Sequence, residues 1–285
     1  HHEIIVYSSR TVLKKAFSYE FDNGIKLYFC EEEPYYICTV GDKIYAILCE
    51  NTINRNRLYF RIIVEFILRA KELMGFYFIH AACVCMNDKG ILICGNKGAG
   101  KTTLMSHILN TGRADFIAND KLFLSRDLKT VEYFPLAARI GEGTLRNFNK
   151  YDLSRNYHRI SEKEKKIHKD NFGNDKWTFT PVEMAGIFSC KYISKAGFEI
   201  ILLPHIGENK QMSIKQVDKN VFQYNLFAEK RVDNWLLNDE WLSYFKNTTN
   251  EKYTENLHTY KAFEINYSFD TKSYELVEAI YKIFD

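Results

Sequence analysis

The chain has 285 residues, of which 46% are hydrophobic, with 14 Gly, 4 Pro and a formal net charge of +3. This length suits one large domain, or one domain with a smaller companion, and the composition excludes disordered and collagen-like chains. The small charge gives no indication of a nucleic-acid partner, and no apolar run reaches the roughly 18 residues that a membrane span needs. The seven cysteines lie mostly in apolar stretches, which favours a reduced, cytoplasmic setting.

The first 75 residues predict a strand-rich region followed by a helix. Residues 54–74 place apolar side chains at helical spacing, with the charged side chains mostly on the other face. Asn23-Gly24 and Gly41-Asp42 are turn signals between strands. We predict a domain boundary after residue 75, so that residues 76–285 form a second domain. The five predicted strands are Glu3–Tyr7, Phe17–Phe21, Ile25–Cys30, Tyr36–Val40 and Lys43–Cys49.

The rest of the chain alternates strand and helix patterns, which predicts a mixed α/β fold. Two apolar runs, Phe76–Met86 and Gly90–Cys94, are joined by Asn87-Asp88-Lys89 and form a hairpin if they pair. Residues 150–175 are polar and charged and predict a solvated helix or a mobile loop. The other predicted strands are Ala114–Asn119, a hairpin over 121–134, Trp177–Thr180, Ala185–Ser189, Phe198–Leu203 and Lys261–Tyr267, and the predicted helices cover about 101–111, 218–228, 232–246 and 271–284.

The segment from Gly95 to Thr102 matches the phosphate-binding pattern G-x-x-x-x-G-K-[ST] at every fixed position, after an apolar strand and before a predicted helix. Backbone N–H groups of such a loop and the helix N-terminus stabilise bound phosphate, so we predict ATP or GTP with Mg²⁺ as ligands. Lys101 is predicted to contact the β- and γ-phosphates, and the Thr102 hydroxyl to bind the metal. The predicted nucleotide-binding residues are Gly95, Asn96, Lys97, Gly98, Ala99, Gly100, Lys101, Thr102 and Thr103.

Two residues outside this loop are candidates for the chemistry. Asp120 ends an apolar stretch soon after the predicted helix. A carboxylate there can hold Mg²⁺ or accept a proton from an attacking hydroxyl, and the alternative is a turn residue between two strands. His80 lies at the far end of the hairpin that leads into the loop, if that hairpin forms. A lone histidine in an apolar run is more often a core residue.

These segments together resemble the catalytic domain of the HPr kinase/phosphorylase family, whose fold is similar to that of phosphoenolpyruvate carboxykinase. The resemblance lies within residues 78–125, where a His-containing strand, a short hairpin, the phosphate-binding segment Gly95–Thr102 (the P-loop) and Phe116-Ile117-Ala118-Asn119-Asp120 follow one another. A weaker echo is Arg139-Ile140-Gly141. The resemblance implies a P-loop kinase core that uses ATP and Mg²⁺ to phosphorylate a serine hydroxyl, with catalytic roles for Lys101, Asp120 and His80, and metal ligands in Thr102 and Asp120.

The same resemblance bears on the acceptor and on assembly. Some relatives phosphorylate a precursor peptide, as lasso-peptide kinases do, and others act on free serine. Relatives form hexamers or smaller assemblies, so a homo-oligomer is implied here. The basic residues between 155 and 170 could attract an acidic peptide segment, and we predict that this stretch becomes ordered when the acceptor binds.

One position departs from the family pattern. The family usually has two acidic residues where this chain has Asn119-Asp120. An asparagine can bind a metal or hydrogen-bond a hydroxyl, but it cannot act as a base. Three hypotheses stay open: a kinase of a serine-type hydroxyl on a peptide or protein, a kinase of a small hydroxyl metabolite, and a non-catalytic nucleotide-binding protein.

Overall fold

The computed structural model describes the five N-terminal strands, six helical residues between 63 and 71, and residues 74–96, 98–134, 136–155, 176–208, 211–218 and 260–284. The chain divides into two compact units. One is His1–Met74 with Arg231–Asn250, and the other is Gly75–Lys230 with Glu251–Asp285. The described part is mixed α/β, with a large, mostly antiparallel sheet and few helices.

The first unit holds a five-stranded antiparallel sheet in which neighbours in sequence are neighbours in space. This confirms the five predicted strands, although the second begins four residues earlier than predicted. The described helical residues lie within the predicted helix 54–74, whose residues 54–62 lie outside the described part, as do the two predicted turns. The strands are β1 (His2–Tyr7), β2 (Leu13–Glu20), β3 (Lys26–Cys30), β4 (Tyr35–Val40) and β5 (Lys43–Leu48).

The second unit contains a nine-stranded sheet and a separate two-stranded one. The strands are β6 (Tyr77–Ile79), β7 (Ala82–Met86), β8 (Lys89–Ile93), β9 (Asp115–Ala118), β10 (Leu122–Leu124), β11 (Thr130–Tyr133), β12 (Ala138–Gly141), β13 (Lys176–Phe179), β14 (Lys195–Gly207), β15 (Ser213–Gln216) and β16 (Lys261–Ser268). The long strand β14 pairs with β8 along one edge, and with β11 and then β16 along the other, so the large sheet branches there. Strands β12 and β13 form the small sheet.

The large sheet curls on itself. Its strand order is β6-β10-β11-β14-β8-β7-β9, so β6 lies at one end and β7 near the other, yet only His80 and Ala81 separate these two strands along the chain. One group of buried side chains therefore lies inside the curl, including Cys83, Leu92 and Ile201. The predicted single run Phe76–Met86 is divided at this point, because its two halves pair with different strands.

The outer face of the sheet is covered by helices, which bury a second group of side chains. The described helices of the second unit are α1 (Lys101–Asn110), α2 (Glu142–Asn147), α3 (Tyr151–Arg155), α4 (Pro181–Phe188) and α5 (Ser273–Tyr281). The first and last of these confirm the helices predicted near 101–111 and 271–284.

The prediction of a strand at Ala185–Ser189 was wrong, since Ala185–Phe188 lies in α4. A capping box begins this helix, because the Thr180 hydroxyl accepts from the N–H of Glu183 while the Glu183 carboxylate accepts from the N–H of Thr180. Pro181 at the first helical position suits the same start. The short apolar run reads as a strand by composition alone, and the Thr-Pro-Val-Glu signal upstream is what distinguishes the helix.

The strands flanking Asn87-Asp88 pair as a tight antiparallel hairpin, with Met86 opposite Lys89. Asn87 and Asp88 have φ of 52° and 61°, the left-handed conformations of a type I′ turn, which asparagine and aspartate tolerate well. The antiparallel pairing of β10 with β11 confirms the hairpin predicted over 121–134. Ala82 lies opposite Ile93 at the far end of the β7–β8 hairpin, so His80 lies just beyond the P-loop strand.

Further sequence predictions for the second half of the chain fall wholly or mostly outside the described residues. These are the behaviour of the charged stretch 155–170, of which only the backbone of Arg155 at the end of α3 is described, and the helices predicted at about 218–228 and 232–246. Within the described residues, no helix is both long and apolar enough to cross a membrane.

Candidate functional site

Three segments that the sequence singled out meet at one end of β7, β8 and β9. Because β7 is antiparallel to both β8 and β9, the start of β7 lies beside the ends of the other two strands. His80 precedes β7, the P-loop follows β8, and Asn119 and Asp120 follow β9. Segments far apart in sequence thus converge on one small region.

The glycines of the P-loop have backbone conformations that other residues rarely adopt. Gly95, Gly98 and Gly100 have φ of 143°, 90° and 101°. All three lie in the positive region, where a Cβ is sterically unfavourable. The loop pattern therefore specifies a backbone shape as well as a composition, and this shape curls the chain between β8 and α1.

The remaining loop residues differ in exposure. Asn96 is exposed and its carbonyl accepts a hydrogen bond from the N–H of Ala99 at 3.1 Å, which closes a turn. Lys97, predicted as a nucleotide-binding residue, lies outside the described residues. At the base of the loop, the N–H of Cys94 donates to the carbonyl of Leu202 on β14 at 2.9 Å, which ties the loop to the neighbouring parallel strand.

We predict that Gly100→Ala destabilises the fold by about 1–3 kcal/mol, the usual cost of a strained backbone position. A Cβ at this position would lie 2.9 Å from both Ile206 Cγ2 and the Tyr267 hydroxyl, and φ is +101°. Chemical denaturation measures the free energy of unfolding. Gly112→Ala is the matched control, since it also has positive φ (+71°) but no atom within 4 Å of its Cβ site. If both variants lost the same free energy of unfolding, the atoms close to Gly100 would make no measurable contribution to the cost.

Helix α1 begins directly after Gly100, and no side chain caps it. The N–H groups of Lys101, Thr102 and Thr103 fall in its first turn, at the positive end of the helix, which favours a bound anion. The Lys101 ammonium donates to the carbonyls of Gly95 and Asn96, the latter at 3.3 Å. The lysine thus lies across the loop that would surround the phosphates.

Thr102, Asn119 and Arg139 form a chain of hydrogen bonds. The Thr102 hydroxyl donates to Asn119 Oδ1 at 3.1 Å, and Asn119 Nδ2 donates to the carbonyl of Arg139 at 3.3 Å. This chain links the start of α1 to β12 in the small sheet. Asn119 therefore occupies a defined place beside the threonine that was predicted to bind the metal.

His80 and Asp120 contact each other directly. His80 Nε2 lies 2.6 Å from Asp120 Oδ1, and because an ionised carboxylate can only accept, Nε2 carries the donated proton. The two side chains are 37% and 47% exposed, so an acceptor molecule can reach both. Neither the alternative of a turn residue for Asp120 nor that of a core residue for His80 predicts a contact between the two side chains.

Several groups act on the ionisation of Asp120. Burial raises its pKa, but the hydrogen bond from His80 and the nearby His80, Lys121 and Arg139 outweigh this, so the pKa lies below its usual value of 3.8. Asp120 is therefore ionised at neutral pH and can accept a proton or bind a cation.

Sequence reasoning gave no role to Lys121 or Arg139. Lys121 follows Asp120 in the chain, and its ammonium lies 5.7 Å from the centre of the Phe78 ring. Arg139 reaches this region from β12, about 20 residues further on. In the sequence, Arg139-Ile140-Gly141 was named only as part of the family resemblance. No contact was predicted for this segment, because only the fold brings β12 beside Asn119.

No family model matches the chain, and no curated protein matches it significantly. Among solved structures, it is similar to the Hpr(Ser) kinase/phosphatase from Coxiella burnetii. The identity is 8%, the TM-score is 0.34, and the match covers 73% of this chain and 96% of that chain. This is a distant structural similarity.

The oxygen atoms beside the P-loop fit Mg²⁺. Thr102, Asn119 and Asp120 offer hydroxyl, amide and carboxylate oxygens, the hard ligands that this ion takes. In the described part of the chain, no cluster of three or more His, Cys, Asp or Glu side chains is suited to a metal ion. Such a cluster is not required at a nucleotide site, because Mg²⁺ there is held by one or two carboxylates together with phosphates and water.

Proposed function

We propose that this chain is an ATP- and Mg²⁺-dependent kinase that transfers a phosphate to a serine-type hydroxyl of a peptide or protein. The observation that carries the proposal is the convergence of a P-loop, in its glycine-specific conformation, with the His80–Asp120 pair. A P-loop alone indicates nucleotide binding. A carboxylate beside it, ionised and open to solvent, adds a group that can receive the proton of an attacking hydroxyl.

In the proposed reaction, the acceptor hydroxyl approaches Asp120 while the loop N–H groups and Lys101 hold the phosphates. A bond forms between the acceptor oxygen and the γ-phosphorus, the bond from that phosphorus to the β–γ bridging oxygen breaks, and ADP leaves. Asp120 receives the hydroxyl proton, and His80 keeps its carboxylate oriented through the 2.6 Å contact. Mg²⁺, when bound beside Thr102, neutralises charge on the phosphates.

The acceptor class rests on the resemblance of residues 78–125 to serine-phosphorylating enzymes. A test incubates the purified chain with ATP, Mg²⁺ and, in separate reactions, serine-containing peptides and free serine. Mass spectrometry should find one added phosphate on a peptide serine, and none with Lys101→Ala. Phosphate on free serine alone would support the small-metabolite alternative, and nucleotide binding without any transfer would overturn the kinase proposal.

The second candidate, a non-catalytic nucleotide-binding protein, is favoured by one observation. Asn119 places a neutral amide where the family usually has a second acid, and its Oδ1 already accepts from Thr102. Phosphoryl transfer has a loose transition state, so positioning and charge neutralisation contribute more than a strong base. A single carboxylate at Asp120 is therefore sufficient for the proposed kinase.

We predict that Asn119→Asp lowers the Mg²⁺ concentration needed for half-maximal turnover and does not reduce the maximal rate. The added charge beside Thr102 strengthens binding of a hard cation. The variant loses the donor to the Arg139 carbonyl, so a small drop in melting temperature should accompany it. Turnover is measured across a Mg²⁺ titration, with the exposed Asn149→Asp as control. An unchanged Mg²⁺ requirement would remove Asn119 from the metal site.

A further inference from the structure

The last two carbonyls of the P-loop face the strands that flank it. The carbonyl of Ala99 accepts from the N–H of Ile206 on β14 at 3.4 Å. The carbonyl of Gly100 accepts from the Tyr267 hydroxyl on β16 at 3.1 Å, and from the N–H of Leu104 within α1 at 2.8 Å. Strand β14 runs parallel to β8, and β16 runs parallel to β14, so the ends of both strands lie beside the loop that follows β8.

This arrangement determines where the loop donors point. In a planar trans peptide, the C=O of one residue and the N–H of the next point in opposite directions. The Ala99 carbonyl is held toward β14, and the Gly100 carbonyl is held jointly by the Leu104 N–H and the Tyr267 hydroxyl, which directs the N–H groups of Gly100 and Lys101 toward the open side. These are the donors that a bound phosphate would meet first.

Tyr267 is itself held firmly. The residue is completely buried, and its ring packs edge-on against His107 of α1, with 5.6 Å between ring centres. His107 Nδ1 lies 3.0 Å from Ser273 Oγ at the start of α5. The hydroxyl of Tyr267 also lies 2.9 Å from where a Cβ of Gly100 would be. The phenol is thus fixed between β16 and α1, with its hydroxyl against the last residue before the helix.

We infer that Tyr267 is a positioning residue for the nucleotide site, whose hydroxyl orients the Gly100–Lys101 peptide so that its N–H faces the phosphates of ATP. The inference rests on the proposed function, since it concerns the same loop. Tyr267 does not touch the nucleotide, and its effect reaches the phosphates through the loop backbone. Its loss therefore weakens nucleotide binding without removing any group from the nucleotide's surroundings.

The test is Tyr267→Phe, which removes the hydroxyl and leaves the ring contact with His107 in place. ATP affinity of the purified protein, measured by calorimetric titration with Mg²⁺, should fall about threefold to tenfold, the range expected from one misdirected hydrogen bond. The KM for ATP should rise by a similar factor, whereas the KM for the acceptor should stay the same.

Tyr260→Phe is the matched control. Its hydroxyl also donates to a backbone carbonyl, that of Leu128, and its ring stacks on Phe198 at 4.3 Å on the opposite side of the sheet. Both variants lose one phenol hydrogen bond, so their melting temperatures without nucleotide should fall by similar amounts. Only Tyr267→Phe should change ATP affinity.

Two outcomes separate the failure of this inference from that of the proposed function. If wild type binds ATP, Lys101→Ala greatly weakens binding, and Tyr267→Phe binds ATP as wild type does, then Tyr267 has only a structural role and the inference is wrong. If wild type itself does not bind ATP, the nucleotide site and the inference fail together.

Discussion

Replacing Lys101 by alanine should lower phosphoryl transfer by about a hundredfold to a thousandfold, the range seen when one preorganised charge-stabilising donor is removed. The lysine ammonium lies over the carbonyls of Gly95 and Asn96, inside the loop that would hold the phosphates. Transfer moves negative charge onto the leaving ADP, and the Lys101 ammonium is placed to neutralise it. A labelled-ATP assay with the phosphorylated acceptor as product measures the effect.

The fold should tolerate this change, because Lys101 is partly exposed and contacts the loop rather than the core. Lys129→Ala is a suitable control, since Lys129 is an exposed lysine in the turn between β10 and β11. Both variants should melt close to wild type, and the control should retain full activity. Activity of Lys101→Ala within threefold of wild type would reject its assignment.

Local signals predicted the parts of this site that depend on local structure. The glycine spacing Gly95, Gly98 and Gly100 corresponds to three positive φ angles, and the Asn87-Asp88 dipeptide corresponds to a left-handed turn. Backbone conformation at glycine and in tight turns is set by sterics within a few residues, so a local sequence pattern indicates it.

Long-range pairings could not be read from the same signals. Nothing in the sequence places Tyr267 against Gly100, or the carbonyl of Arg139 beside Asn119, since these contacts depend on how the sheet branches and curls. The division of Phe76–Met86 into two strands has the same origin. Its apolar composition suits burial, but the break at His80 is decided by which strands each half meets.

The position of His80 shows how the two kinds of information combine. A single histidine in an apolar run is a weak candidate on sequence alone. Pairing across the β7–β8 hairpin places His80 at the end of the sheet where the P-loop begins. Its contact with Asp120 then depends on β9 pairing with the other edge of β7. One local hairpin and one longer-range strand pairing together bring the candidate pair into contact.

Changing Asp120 to asparagine should lower turnover by about a hundredfold, at the lower end of what a general base contributes, because the loose transition state needs little proton transfer. ATP affinity should stay within about threefold, since the loop N–H groups and Lys101 remain. The variant keeps the size of the side chain and can still hydrogen-bond His80. What it loses is the charge that receives the proton and attracts the metal.

Titration of ATP and measurement of turnover on the same preparation separate these effects. Asp127→Asn is the matched control, because Asp127 also has a lowered pKa, through hydrogen bonds from the Ser125 hydroxyl and the Lys129 N–H, but lies in the β10–β11 turn. Equal losses of affinity and turnover in Asp120→Asn would make Asp120 a general binding or folding residue.

Stability against pH gives an independent measurement of the same carboxylate. The pKa of Asp120 is lowered in the folded state, so its ionised form stabilises the fold at pH values above its unfolded pKa, and this contribution is lost as the pH falls through the lowered folded value. Asp120→Asn should therefore melt below wild type at pH 7, and the difference should shrink in acid below about pH 4. A difference that stayed constant down to pH 3 would mean that the variant disturbs packing, and the turnover loss could then no longer be assigned to the missing charge.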